Sequence, residues 1–281
     1  PLSPGLLEAI ATRANDFDAF IFFTYLYAPT AWGLPLVAKK SLLVPTAHDE
    51  PPFYFGAMRD VFESPRALLC NTPEESELIA RTWPNAARRR VVGVGIEPKP
   101  GKPQRFRDQF GITTPYLLYL GRMEAGKGVL DLVRRHQALV RDFHDAPALV
   151  LAGAGDEKPT GTRVITVGRI DEQAKWDALA GALAVVVPSR YESLSLLTLE
   201  AFAAGTPVLG NRASEVVVGQ LERSGGGVAF DLDDDASFRD AVQQVGVKRD
   251  AMAAKGQKFA ATARWDDVVR AYLEELEGVR S

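Results

Sequence analysis

Two short segments carry residue types that could hold a phosphate and a sugar. The first is Gly121-Arg122-Met123-Glu124-Ala125-Gly126-Lys127-Gly128. An apolar run, 116–120, precedes it, and a helical pattern over 128–140 follows. In open parallel sheets, ligands bind at the carboxyl ends of the strands, which is where Arg122 would stand. Lys127 would lie at the start of the next helix. That end carries positive partial charge, so a lysine there is unfavourable until an anion joins it. The plain alternative is two solvated surface cations in a turn.

The second segment centres on Glu192 and Glu200, which have seven residues between them. A strand over 182–187 leads into the loop 188–195. A helix over 196–204 follows, closed by Gly205. Loop amides and a helix start together make an anion cradle. Glu192 sits at the loop mouth. Glu200 sits about one turn into the helix, among leucines and alanines. An unpaired carboxylate there would be costly to bury, and ribose hydroxyls would satisfy it. Otherwise Glu200 pairs with a neighbouring arginine and Glu192 is simply solvated.

The first segment also comes close to a triphosphate-binding loop. Gly121, Gly126 and Lys127 fit that pattern, but Gly128 stands where a serine or threonine would ligate magnesium. No following strand ends in the second aspartate such enzymes use. A magnesium-dependent nucleotidase therefore ranks low. No metal site is expected: no Asp-x-Asp occupies a suitable loop, and Asp233-Asp234-Asp235 reads as a solvated helix start.

The elements that must position these residues alternate strand and helix, the pattern of a parallel sheet covered on both faces. Strands are expected at 19–24, 41–46, 67–70 and 90–94, with helices at 55–62 and 73–83 and a weaker one at 31–38. Thr72 can cap the helix that Pro73 opens. Residues 95–103 hold three prolines and two glycines and read as an interdomain linker. A second series follows: strands at 116–120, 148–152, 164–167, 182–187, 207–209 and 228–230, and helices at 128–140, 172–179, 196–204 and from 236 onward. The first half supplies too few strands for a whole doubly wound domain, so a shortened or partial protein is expected. His48 stands at the end of the strand 41–46. His136 and His144 read as surface residues.

The bulk numbers exclude several classes. The net charge of -3 gives no general pull toward nucleic acid or anionic lipid. The lone cysteine, Cys70, rules out an internal disulfide and fits a reducing cytoplasm. No apolar run approaches the roughly 20 residues that span a bilayer.

The frame P-S-x-x-E-S-x-x-L-x-x-L-E-A-x-A-x-G-x-P-V over 188–208 resembles the signature of the GT-B glycosyltransferases of family 4, the glycosyl transferases group 1, which are retaining enzymes. Gly121-Arg122, Lys127-Gly128, residues 149–155 and Val167-Gly168 fall in the same order and spacing. The likeness is strong over 116–230 and weaker over 41–95. It implies a GT-B α/β fold, with two Rossmann-like doubly wound domains facing a cleft, the first of them incomplete. The domains would be a partial acceptor-side domain at 1–98, a donor-binding domain at 99–262 and a helix at 263–281 that crosses back.

The same resemblance implies roles. Arg122 and Lys127 would bind the donor diphosphate, and Glu200 the ribose. Glu192 would face the sugar hydroxyls. Gly121 and the amides of Leu194, Ser195, Leu196 and Leu197 would hold phosphate or sugar. Arg169 and Ile170 would lie near the base. His48 would touch the transferred sugar. Many members have glycine where Ser195 stands. The implied partners are a UDP-, GDP- or ADP-sugar and a hydroxyl acceptor, glycan or lipid-linked, the latter with peripheral membrane contact. No further cofactor is implied. The alternative is a nucleotide-sugar-binding protein without transferase activity.

Overall fold

The computed structural model describes residues 3–280. Contacts divide the chain into two units, one running up to Gly95 and resuming at Arg264, the other Ile96–Ala263.

The first unit opens with α1 (Pro4–Thr12) and β1 (Phe20–Phe23). Then come α2 (Ala28–Gly33), a 3-10 stretch Leu34–Lys40, and β2 (Ser41–Val44). Short 3-10 turns at Pro51–Tyr54 and Gly56–Met58 precede α3 (Arg59–Glu63). β3 (Ala67–Cys70), α4 (Pro73–Thr82) and β4 (Arg89–Val91) complete this part. The strands are parallel in the order β1-β2-β3-β4. Every residue of β2 and β3 is buried, which is why these strands read as continuous apolar runs rather than alternating ones.

The second unit contains α5 (Pro103–Phe110), β5 (Tyr116–Leu120), α6 (Val129–Asp142), β6 (Ala148–Ala152) and β7 (Val164–Gly168). It continues through α7 (Glu172–Gly181), β8 (Ala184–Val187), α8 (Leu196–Ala203), β9 (Val208–Asn211), α9 (Glu215–Ser224), β10 (Gly227–Phe230) and α10 (Asp235–Ala260). Its parallel strands run β10-β9-β8-β5-β6-β7. The chain starts in the middle at β5, winds outward to β7, then returns to β8 on β5's other side. The order therefore reverses between β5 and β8. That switch point is where open α/β sheets leave a crevice at their strand ends. One core layer packs Leu118, Val150 and Val185 under Trp176 and Phe202, and the other packs Leu117, Leu149 and Val186 under Leu132 and Phe238.

The last helix, α11 (Trp265–Arg280), belongs to the first unit. Tyr272 and Leu276 pack on Leu42, Val44, Ala67 and Leu69. The buried Glu275 receives Arg88 and Arg90 from the β4 segment, so this helix is fastened by charge as well as by apolar contact.

Several expectations are corrected. The change of unit falls within 95–103, between Gly95 and Ile96, as expected, but the segment is also closely packed. Gly101 lies so close to α7 that an added Cβ would meet the Trp176 carbonyl at 2.3 Å. The Lys102 amide donates to Asp177 at 2.7 Å, and Arg105 grips the same carboxylate. The glycine at 101 serves close packing there, and the stretch runs straight into α5, a helix not expected from the sequence. α9 is likewise not expected from the sequence; the left-handed Gly225 after it is its C-cap. The helix expected at 55–62 is half 3-10 turn. His136 is not a surface residue: it is fully buried, its Nε2 donates to the Pro147 carbonyl at 2.9 Å, and burial lowers its pKa.

Candidate functional site

The loops after β5 and β8 are the two that flank the switch point, and they carry the candidate residues. The segment after β5 is held flat against the loop after β6 by glycine. Gly153 has φ +142, and a Cβ on it would stand 1.8 Å from the Gly121 carbonyl. A Cβ on Gly155 would likewise stand 2.2 Å from the Met123 carbonyl. In return, the Gly121 amide donates to Ala152 and the Met123 amide to Ala154, both at 3.0 Å. Only glycine lets two backbones approach so closely.

Lys127 ends a 3-10 turn, Ala125–Lys127, and the left-handed Gly128 then starts α6. Gly128 is needed there: with φ +71, its Cβ would press on the Pro188 carbonyl at 2.9 Å. This contact brings the end of β8 beside Lys127. Accordingly, Lys127 Nζ donates to Glu192 Oε1 at 2.9 Å, with side chains 28% and 19% exposed. Glu192 is therefore not merely solvated. It supplies the negative charge that a lysine beside a helix start calls for.

The loop from Pro188 to Ser195 is tied at both ends by buried side-chain amides. Asn211, at the end of β9, donates from Nδ2 to the Pro188 carbonyl at 2.8 Å. Gln220, on α9, donates to the Leu194 carbonyl at 2.6 Å. Neither stood out in the sequence; reading α9 as a helix would have been the signal for Gln220. Ser195 takes the left-handed conformation, φ +51, at the N-cap of α8. That explains why a glycine would suit the position. Its hydroxyl meets Thr198 at 2.8 Å and caps no backbone amide, so no side-chain cap closes the start of α8 at Leu196 and Leu197.

Glu200 pairs with a lysine rather than an arginine. Lys175 of α7 donates to Glu200 Oε1 at 2.7 Å and meets Glu172 at 3.0 Å. Burial alone would lower the Lys175 pKa, but the bonds to Glu200 and Glu172 outweigh it and the pKa is raised. Lys175 was not singled out in the sequence. Its link to Glu200 depends on α7 and α8 being neighbours.

The remaining candidates stand apart from these pairs. Arg122 is 69% exposed and meets its neighbour Glu124 at 3.0 Å. Arg169 is exposed, just after the left-handed Gly168, and Ile170 is partly buried against the core. Among the described residues, no group of three or more His, Cys, Asp or Glu could hold a metal ion. No helix among them is long and apolar enough to cross a membrane.

In the first unit, His48 follows the end of β2, with Nε2 at 3.3 Å from Glu50 Oε2. The other oxygen of Glu50 accepts from the Tyr25 hydroxyl at 2.8 Å. Burial, then the bond to Glu50, raises the Tyr25 pKa. Thr24 and Thr46, at the ends of β1 and β2, both have positive φ, +66 and +49, and their hydroxyls meet at 3.1 Å. A β-branched residue in that region costs about 1–3 kcal/mol and tends to mark functional loops.

Residues 114–246 match the family described as Glycosyl transferases group 1. That segment, a little under half of the chain, is the part that resembles the family. The chain is 30% identical over 243 residues to glycogen synthase from Mycobacterium tuberculosis, covering 78% of this chain and 56% of that one. It thus spans little more than half the length of that relative. Sucrose-phosphate synthase from Thermosynechococcus elongatus superposes with a TM-score of 0.79 at 19% identity, covering 98% of this chain and 77% of that one. Anabaena HepE in complex with UDP gives 0.75 at 15%, covering 98% and 82%. At these identities the structural likeness is one of fold, the two parallel-sheet α/β units of the GT-B glycosyltransferases.

Proposed function

We propose that this chain is a retaining glycosyltransferase of family 4 type, moving a sugar from a nucleoside-diphosphate donor to a hydroxyl acceptor. The observation that carries the reading is the Lys127–Glu192 pair at the switch point, beside an uncapped helix start. A cation, free amides and a carboxylate at one strand-end crevice suit a sugar diphosphate: the first two for the phosphates, the last for the sugar hydroxyls. On this reading Lys127 leaves Glu192 for the diphosphate when the donor binds, and Arg122 swings from Glu124 to join it. Ribose hydroxyls share Glu200 with Lys175, since a carboxylate accepts about four hydrogen bonds. Leu194, Ser195, Leu196 and Leu197 present their amides, and Gly121 leaves room for the phosphates. Arg169 and Ile170 flank the base.

Transfer would proceed by front-face attack. The acceptor oxygen bonds to the anomeric carbon as the bond to the diphosphate breaks, and the hydroxyl proton passes to the departing phosphate oxygen. Lys127, Arg122 and the start of α8 stabilise the charge that develops there, which is electrostatic preorganisation. These cations supply the charge a metal would otherwise bring, so the reaction is read as metal-independent. His48 is read as contacting the transferred sugar. The lone buried Cys70 goes with a reducing, cytoplasmic setting.

A thermal-shift panel of UDP, GDP, ADP and their glucose conjugates tests the reading, with UDP first because HepE was solved with it. A ligand that binds only the folded state at about 100 times its Kd adds about 2.7 kcal/mol of stability. One base should raise the melting temperature clearly above the others. No shift with any of them would end the proposal.

A further inference from the structure

We infer that Glu75 is a positioning residue for His48, its buried carboxylate tying the loop that carries His48 to the end of β3. Glu75 lies in the first turn of α4 and is 1% exposed. One carboxylate oxygen accepts from the Ala47 amide at 2.6 Å and the other from the Asn71 amide at 2.5 Å. Ala47 immediately precedes His48, and Asn71 immediately follows β3. A single side chain thus bridges the carboxyl ends of two adjacent parallel strands.

Helix capping alone does not account for this arrangement. The local task is done by Thr72, which accepts the Glu75 amide at 3.1 Å, and by the reach of Glu75 back to Asn71. Neither needs the bond to Ala47, 28 residues away in sequence. The group is also expensive to keep. No lysine or arginine forms an ion pair with Glu75 among the described residues, and burial pushes its pKa up to about 8 against the pull of the Asn71, Ala47 and Thr72 amides. The titratable groups that sense it, the Cys70 thiol and the Tyr272 phenol, bring no positive charge. A buried carboxylate held only by amides suits fixing backbone, because each oxygen has a directional task.

The strained neighbour supports the same conclusion. Thr46, one residue before Ala47, has φ +49 and is steadied by Thr24. A loop in a sparsely populated conformation stays there only if its surroundings hold it. The Thr24 hydroxyl holds it on one side of Ala47 and Glu75 on the other. The His48 ring contacts Glu50 and sits on a fixed backbone.

The inference rests on reading His48 as a sugar-facing group, and its test is separable from that reading. Hydrogen exchange on the unsubstituted chain should show the Ala47 and Asn71 amides protected to a similar degree. Ala47 exchanging like an open loop would overturn the proposal. In Glu75→Gln, the new NH2 must face one of the two amide donors, so Ala47 should exchange at least about tenfold faster. The ring signal of His48 should also shift, while those of His136 and His144 stay put. Thr72→Val weakens the cap but keeps the carboxylate, and should leave the His48 signal in place. A folded Glu75→Gln with an unmoved His48 signal, or a Thr72→Val that moves it equally, would refute the assignment. If Glu75→Gln does not fold, the exchange of the unsubstituted chain decides. Separately, His48→Ala binding UDP-glucose unchanged would remove the sugar-facing role and leave the clamp intact.

Discussion

Replacing Lys127 by methionine gives the sharpest test of the donor site. The methionine keeps most of the apolar stem and removes only the ammonium. That ammonium is bound to Glu192 at 2.9 Å, and both groups are partly exposed. Pairs of this kind contribute about 0–1 kcal/mol to stability, so the variant should fold with a nearly unchanged melting temperature. Donor binding is different. The lysine must give up one carboxylate charge to meet a diphosphate carrying roughly two, and charge-assisted bonds are worth about 1.5–3 kcal/mol. The carboxylate left behind also faces the diphosphate without its partner. The Kd for whichever of UDP, GDP or ADP binds best should therefore rise roughly 10- to 100-fold by titration calorimetry, each 1.4 kcal/mol being a factor of ten. Adding Glu192→Gln to this variant should recover part of the loss by removing the uncompensated charge. His144→Ala, on an exposed residue, should change nothing. A Lys127→Met chain that binds within twofold of the unsubstituted one would refute the assignment of the diphosphate to this crevice.

Three further outcomes are expected. Transfer or donor hydrolysis should persist in EDTA; complete loss that magnesium restores would overturn the metal-independent reading. Gly153→Ala puts a Cβ 1.8 Å from the Gly121 carbonyl, so urea unfolding should show a loss of about 3 kcal/mol or more, and a loss under about 1 kcal/mol would mean the two loops separate freely. His136 has a folded pKa below its unfolded value, so the unfolded state binds the proton first. Its contribution to stability is fully present above about pH 6.5 and is lost as the pH falls below that value. In a ring titration followed by NMR, His136 should therefore protonate only below about pH 6.5; protonation at or above that value would contradict its burial.

Much of the fold is written locally. The strands β3, β5 and β6 begin and end where their apolar runs do, because strands buried on both faces need unbroken hydrophobic residues. Helices missed in the sequence failed for physical reasons. α5 carries Arg105, Arg107 and Asp108 and buries little more than Phe106, so its apolar stripe is one residue wide. Its helical state depends on α7, through Asp177 and Trp176. His136 was misjudged because a single histidine on an amphipathic helix gives no sign of its side until the carbonyl of Pro147 is known to lie opposite.

The site shows the same division. Residue types and spacing mark Lys127, Glu192 and Glu200 as chemically charged positions in strand-end loops. What they meet is a property of strand order. Lys127 and Glu192 are 65 residues apart, and they touch because β8 enters the sheet beside β5 rather than beside β7. Glu200 and Lys175 meet for the same reason, through the helices flanking β8. Both glutamates of the motif are therefore paired with lysines from other elements. An empty crevice lined by two unpaired carboxylates would repel a diphosphate. On the proposed reading, one in which each carboxylate shares its charge with a lysine accepts it once Lys127 turns from Glu192. The spacing of the two glutamates is local to the sequence, while the topology supplies the lysines that meet them.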